Sequence, residues 1–231
     1  MAENCNTFDR LSNHEAVKIA KVLMVELAGQ AKRIEIAGSI RREKSYVKDI
    51  ELVIIPHHLP SLLARLDGLV VRGDIEPRTN KNHNRIGWGE KFRAAVYQKL
   101  YPVDIFICDE DNFGFIYWLR TGPGDANSRV MEMLKYMASP VRARDGRLHW
   151  VHYPEDYNSM DDNYIPRHVI RTPEEIDVFT LFGMDYRKPA LRTMEYYSVQ
   201  LTSPRHLWPD KNAIDHLLMP VPGPASQAAL F

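Results

Sequence analysis

The segment KDIELVII, from Lys48 to Ile55, constrains this chain more than any other. Its front alternates acidic and aliphatic residues and its end is wholly apolar, the pattern of a strand with one face in a core. Alternate side chains of a strand leave on opposite faces. Ile50, Leu52 and Ile54 therefore enter the core, and Asp49 and Glu51 emerge together on the other face. Two neighbouring carboxylates add nothing to stability; they repel unless a cation neutralises them, and hard oxygen ligands of this kind suit magnesium. Asp104 lies in another apolar strand, VDIFI, and a third carboxylate brought alongside would complete a two-metal site for phosphoryl transfer. By itself a D-x-E is short, and more often marks acids ending a strand in solvent.

Composition narrows the setting. A chain of 231 residues, 45% hydrophobic, is long enough for one large domain or two small ones with a real core. Cys5 and Cys108 cannot build a disulfide framework or a cysteine-rich zinc site, and the nine histidines show no metal-ligand spacing. No apolar run approaches the roughly 18 residues that span a bilayer, and the N-terminus MAENCNTFDR lacks a signal-peptide pattern. A soluble, cytoplasmic, monomeric protein with no membrane partner is expected. Thirty Lys and Arg against thirty Asp and Glu give zero net charge, which on its face argues against binding nucleic acid. The balance is local, however: Lys32–Lys48 holds six basic and two acidic residues and Arg72–Lys99 seven and three, whereas Asp104–Asp111 holds four acids and no base.

Ser12 to Glu15 reads as a capping box opening a helix that buries Ala16, Ile19, Ala20, Leu23 and Leu27. A short strand, Ile34–Ala37, stops at Gly38-Ser39. A helix over Pro60–Leu66, a Gly-, Asn- and Pro-rich loop over Gly73–Gly89, and strands over Phe92–Leu100 and Val103–Cys108 follow. In the second half, Arg129–Met137 is helical and Asp145-Gly146 turns a hairpin. Thr172-Pro173-Glu174-Glu175 reads as a second capping box for a helix that stops at Gly183. Trp88, between two glycines, is either a base-stacking platform or an aromatic packed on its own domain.

The turn before the carboxylates sharpens the reading. In Gly38-Ser39-Ile40-Arg41-Arg42, glycine lets backbone amides approach a phosphate, serine adds a donor and arginine supplies bidentate charge. A strand, G-S-x-R-R and a D-x-E strand in close succession resemble the nucleotidyltransferase superfamily, and specifically the family X DNA polymerases related to polymerase beta. Thr121, Gly122, Asn127 and Arg129 match a further family signature. TPEEIDVFTLFGMDYRKPALR, from Thr172 to Arg192, looks like the family's thumb ending.

The resemblance implies an α+β fold: a palm of mixed sheet and packed helices over residues 1–110, then a small α/β thumb that binds nucleotide and DNA over 111–205. A Pro-rich tail follows over 206–231. It implies that Asp49 and Glu51 bridge two magnesium ions, for which manganese could substitute, and that Asp104 binds the catalytic ion and activates the primer 3′-hydroxyl. Gly38, Ser39, Arg42, Arg10, Thr121, Gly122 and Asn127 would hold the dNTP, and Arg129 and Arg41 would face DNA. Glu51 stands where the family usually has Asp, Leu119-Arg120 where it often has an aromatic pair, and Pro123 where serine is common. No lyase domain or helix-hairpin-helix module is expected before Arg10.

The last five residues, through Gln227, Leu230 and Phe231, resemble the Q-x-x-L-F peptide by which bacterial polymerases bind the sliding clamp. This implies a bacterial or phage-infected cell and a tether that raises effective concentration at the primer end. The expected function is Mg-dependent, DNA-directed gap filling in repair or replication. Two alternatives stay open: an enzyme of the same fold acting without a template or on another acceptor, and a noncatalytic DNA- or clamp-binding module. With no basic surplus, unaided DNA affinity should be weak and should fall steeply with salt, as fluorescence anisotropy on a gapped duplex would report.

Overall fold

A computed structural model describes residues 11–153, 165–200 and 209–220. The chain divides into two units. The first comprises residues up to Asp109 with Arg120–Gly122 and Lys188–Leu191; the second comprises Glu110–Leu119, Pro123–Arg187 and the chain from Arg192 on.

The first unit is built on a five-stranded mixed sheet. After the two-residue strand β1 (Leu11–Ser12), Ser12 caps α1 (Asn13–Leu27) by accepting the Glu15 N–H at 3.3 Å, and α1 buries Ala16, Ala20, Leu23 and Leu27. Next come β2 (Ala31–Ile36), the single helical turn α2 (Gly38–Arg41), β3 (Tyr46–Val47) and β4 (Ile50–Pro56). Then follow α3 (Leu59–Val71), β5 (Ile75–Pro77), β6 (Phe92–Tyr97) and β7 (Tyr101–Ile107). The sheet order is β2-β4-β7-β6-β5, with β4 and β7 parallel and the other pairs antiparallel, and β1 pairs with β3. Ile50, Leu52 and Ile54 of β4 are fully buried with Val103 and Ile105 of β7, beneath α1 and Leu62, Leu66 and Leu69 of α3. Val53 is also fully buried. Two departures from the sequence reading stand out. The stretch read as loop over Gly73–Gly89 contains β5, too short to show a period. The turn between β6 and β7 falls at Gln98 and Lys99, both at positive φ, rather than near Tyr101-Pro102.

The second unit starts with α4 (Phe113–Thr121), whose last two residues belong to the first unit, and α5 (Gly124–Tyr136). The sequence FGFIYWLRT is apolar almost all round, so it carries no amphipathic period, and the helix went unread. Strands β8 (Val141–Arg144), β9 (Arg147–His152) and β10 (Ile165–Ile170) follow, then α6 (Glu175–Leu181), α7 (Met194–Gln200), α8 (Lys211–Ile214) and β11 (Leu218–Pro220). The sheet is antiparallel in the order β11-β10-β9-β8. The expected turn at Asp145-Gly146 is present, both residues at positive φ.

The helix α6 is capped one turn detail differently from expectation. Glu174 is its N-cap, its N–H donating to the Asp177 carboxylate at 2.7 Å. Thr172 is fully buried and caps α4 instead: its carbonyl accepts the Gly114 N–H at 2.7 Å and its hydroxyl accepts the Phe115 N–H at 3.3 Å. A Cβ on Gly114 would overlap the backbone of Glu174, so this close crossing admits only glycine. Gly183 ends α6 at φ +58°, as read. Trp118, Phe113, Phe115, Phe179, Phe182 and Tyr197 form the aromatic core, with Trp118 Nε1 donating to the Tyr197 hydroxyl at 3.1 Å. Tyr196 and Tyr197, which had no reading from sequence, are thus core residues.

Arg192 and Glu175 make a buried two-point ion pair at 2.6 and 2.8 Å, and the Arg192 guanidinium also lies 4.9 Å from the Phe179 ring. Removing one partner strands a buried charge. Arg192→Met should lower the stability of this unit by about 3–5 kcal/mol in chemical unfolding, whereas the double change Arg192→Met, Glu175→Leu should recover most of the loss.

Candidate active site

The end of the sheet where β4 and β7 begin collects the carboxylates. Glu51 and Asp104 are direct register partners on these parallel strands, so their side chains leave the sheet at one level. Asp49 lies one residue before β4. Glu51 sets what may precede it: a Cβ on Gly38 would overlap Glu51 Oε2, and Gly38 has φ +63°. Glycine is therefore required at the start of α2 by a close approach as well as by a left-handed backbone.

The turn from Gly38 to Lys44 is tightly held. Ala37 N–H donates to the Glu51 carbonyl at 2.9 Å, and the Asn13 amide of α1 donates to the carbonyls of Ile40 and Lys44 at 3.2 and 3.0 Å. Arg41 Nη1 donates to the Thr121 hydroxyl at 2.6 Å, and Arg42 donates to the Thr121 carbonyl. Thr121 is fully buried and Gly122 sits at φ +73°. The G-S-x-R-R turn and the T-G pair are thus joined by hydrogen bonds within the first unit. Ser39, Arg42, Lys44, Lys48, Asp49 and Glu51 line a cleft of about 380 Å³. Such a mixture of cations and two carboxylates suits a polyphosphate with its counter-ion. Lys44 and Lys48 lie in the basic tract noted above, but sequence alone did not single them out.

Burial raises the pKa of the Glu51 carboxyl from its ordinary 4.5 to about 7, and repulsion from Asp49 adds to the effect, with Arg120 and Arg42 pulling the other way. Asp49 is raised as well, chiefly by burial, against the opposing fields of Arg78, Lys48 and Arg42. Asp104 is held differently, in an ion pair with Arg78, whose own charged form burial disfavours. Arg120 lies 4.0 Å over the Phe106 ring, and Phe106 stacks on Phe92 at 4.8 Å. Neither Arg78 nor Arg120 was singled out from the sequence as a site residue. Only the strand register reveals Arg78.

Among the described residues, no three His, Cys, Asp or Glu side chains converge closely enough to hold one metal ion. The expected set is brought to one end of the sheet without closing into a single ligand sphere, and Asp104 is engaged by Arg78. The residues nevertheless fit magnesium. Their donors are all oxygen, and the pKa values of Asp49, raised by burial, and of Glu51, raised by burial and then by repulsion from Asp49, mark buried charges that a divalent cation would stabilise.

Two other expected site residues belong to the second unit. Asn127 is buried in the second unit, its amide donating to the carbonyls of Trp118 and Leu119 at 3.1 and 2.9 Å, so it ties α5 to the end of α4. Arg129 is an exposed helix charge 3.6 Å from Glu132. Trp88 is packed on its own unit: Nε1 donates to Asp67 at 3.1 Å and the Arg93 guanidinium lies 4.6 Å from the ring centroid. Arg10, Gln227, Leu230 and Phe231 lie outside the described residues. Among the described residues no helix is long and apolar enough to cross a membrane.

The raised Glu51 value sets a sign for stability. The folded state binds this proton more tightly than the unfolded chain, so ionisation weakens folding progressively between about pH 4.5 and 7. Without added metal, Glu51→Gln should stabilise the protein at pH 8 by up to about 3 kcal/mol and leave it unchanged at pH 4, as thermal melts at the two pH values would show.

No family model matches this sequence, and no curated protein does either. Solved structures do match. The ternary P/T complex of Leishmania infantum polymerase beta aligns with a TM-score of 0.59 at 17% identity, over 80% of this chain and 77% of that one. The ternary gap complex of the same polymerase aligns with a TM-score of 0.61 at 16% identity, over 80% of this chain and 71% of that one. The mixed sheet with its packed helices and the smaller unit that follows therefore have the fold of polymerase beta.

Proposed function

We propose that this protein is a magnesium-dependent, DNA-directed nucleotidyltransferase that adds a dNMP to a primer 3′-hydroxyl and fills short gaps. The observation that carries the reading is the placement of Glu51 and Asp104 on one level, with Asp49 just before β4, beside a cleft to which Ser39, Arg42, Lys44 and Lys48 contribute. The neighbours' primer–template and gapped complexes support DNA as the partner.

Phosphoryl transfer asks little of the protein beyond positioning and charge neutralisation. Asp49 and Glu51, joined by Asp104, would hold the magnesium ions. Bound there, the metal would polarise the phosphoryl oxygens and lower the pKa of the attacking hydroxyl. Ser39, Arg42 and the first amides of α2 would bind the β and γ phosphates. Lys44 and Lys48 add charge along the same cleft. The 3′-oxygen would form the new bond to the α-phosphorus as the bond to the pyrophosphate oxygen breaks, and Asp104 would be the carboxylate that takes up the hydroxyl proton. Arg41 would hold the loop that carries Gly122 through Thr121 as well as face DNA. A clamp contact through Gln227, Leu230 and Phe231, and a role in repair or replication of a bacterial or phage-infected cell, belong to the same proposal.

Primer extension on a one-nucleotide-gapped duplex tests it. Incorporation should require Mg²⁺ or Mn²⁺, should follow the template base, and should fall by at least about 10²-fold in Asp49→Asn and in Asp104→Asn. Metal-independent incorporation, or full incorporation by either variant, would overturn the reading. Equal use of all four nucleotides opposite a defined base would favour the template-independent alternative.

A further inference from the structure

Four strands place a row of residues at one level of the sheet. Glu51 on β4 opposes Asp104 on β7, and Asp104 opposes Ala94 on β6. The register of β5 with β6 runs to Pro77 opposite Ala95, and the next residue, Arg78, donates its backbone N–H to the Ala94 carbonyl at 2.9 Å. The sequence across the sheet is therefore Arg78, Ala94, Asp104, Glu51. Ala94 is buried, and its side chain is a single methyl. A larger residue there would stand between the guanidinium and the carboxylate. With alanine, the long Arg78 side chain passes over β6 and pairs with Asp104.

The pair is not a surface decoration. The Asp104 side chain is 15% exposed and that of Arg78 is 30% exposed. The ion pair runs from Arg78 Nη2 to Asp104 Oδ1, and Arg78 Nε is buried without a hydrogen-bond partner among the described residues. Arg78 also acts on Asp49 through its field, but among the described residues neither Asp49 nor Glu51 makes an ion pair with an arginine, and the three carboxylates do not close on one point.

We infer that Arg78 is an internal counter-cation of Asp104: it holds the third carboxylate in the metal-free protein and must release it before a divalent ion can be ligated there. The inference rests on the metal-dependent reading above and adds to it a named competitor for the metal. Arg78 is in these terms a positioning residue, acting through Asp104. With this cation in place, one of the three carboxylates is neutralised in the empty site, and divalent-ion affinity is lowered in exchange.

The test is Mn²⁺ binding to the full-length protein, read by electron paramagnetic resonance of free Mn²⁺ without nucleotide or DNA. Arg78→Gln and Arg78→Met both remove the competing charge and differ in polarity, so failure of one to fold leaves the other; circular dichroism checks each. Either should bind Mn²⁺ at least about tenfold more tightly than wild type. Adding Asp104→Asn to the better-folded variant should erase the gain, because the released carboxylate is its source. Unchanged or weaker Mn²⁺ binding in the folded Arg78 variants would overturn the inference, as would a gain that survives Asp104→Asn. The two readings fail separately. Metal-dependent incorporation by wild type with unchanged Mn²⁺ affinity in the variants sinks this inference alone; tighter Mn²⁺ binding without any incorporation sinks the polymerase reading alone.

Discussion

The burial of Asp49 and Glu51 side by side, with Asp104 at the same level, is the constraint around which the first unit is arranged. The register of β4 with β7 forces Glu51 and Asp104 to one level, and Asp49 precedes Glu51 by two residues. Such a concentration of negative charge would be expelled to solvent unless cations were drawn to it. Arg78 meets Asp104 directly and, with Lys48 and Arg42, acts on Asp49 through its field; Arg120 and Arg42 act on Glu51. Even so, Glu51 remains raised to about 7. The site is thus poised to gain from a divalent cation, and the folded state bears the cost when none is bound, a common trade at functional sites.

The zero net charge of the chain follows from the same arrangement. The basic tracts that would bind phosphate supply residues to the cleft and its surroundings, among them Arg42, Lys44, Lys48 and Arg78. The carboxylates that would bind metal offset them. A sum of zero conceals a strongly polarised site, so net charge is a poor guide to this chain's ligands.

How much could be read from sequence depended on how local the cause was. The β4 strand was legible because its alternation reports directly which face is buried, and α1 because a cap and a helical period coincide. The hairpin at Asp145-Gly146 was legible because turn chemistry fixes it. By contrast, α4 was missed because a helix buried on every side has no period to detect. Thr172 looked like the cap of the helix after it, yet it serves α4, nearly sixty positions earlier in the chain. Its threonine could not signal a partner so distant. Gly38, Ser39, Arg42, Asp49, Glu51 and Asp104, which the fold gathers near the start of β4, were singled out by spacing and resemblance. Arg78 and Arg120 were not, because what draws each to the carboxylates is strand register in one case and stacking on Phe106 in the other. Asn127, expected to contact nucleotide, turned out to bind α4 carbonyls through contacts no linear spacing encodes.

Crystals grown with Mn²⁺ and a nonhydrolysable dNTP, examined by anomalous scattering, test the central claim most directly. The account predicts manganese ligated by Asp49 and Glu51, the triphosphate against Ser39 and Arg42, and Asp104 parted from Arg78. Manganese bound away from these carboxylates, or nucleotide seated elsewhere on the protein, would contradict it.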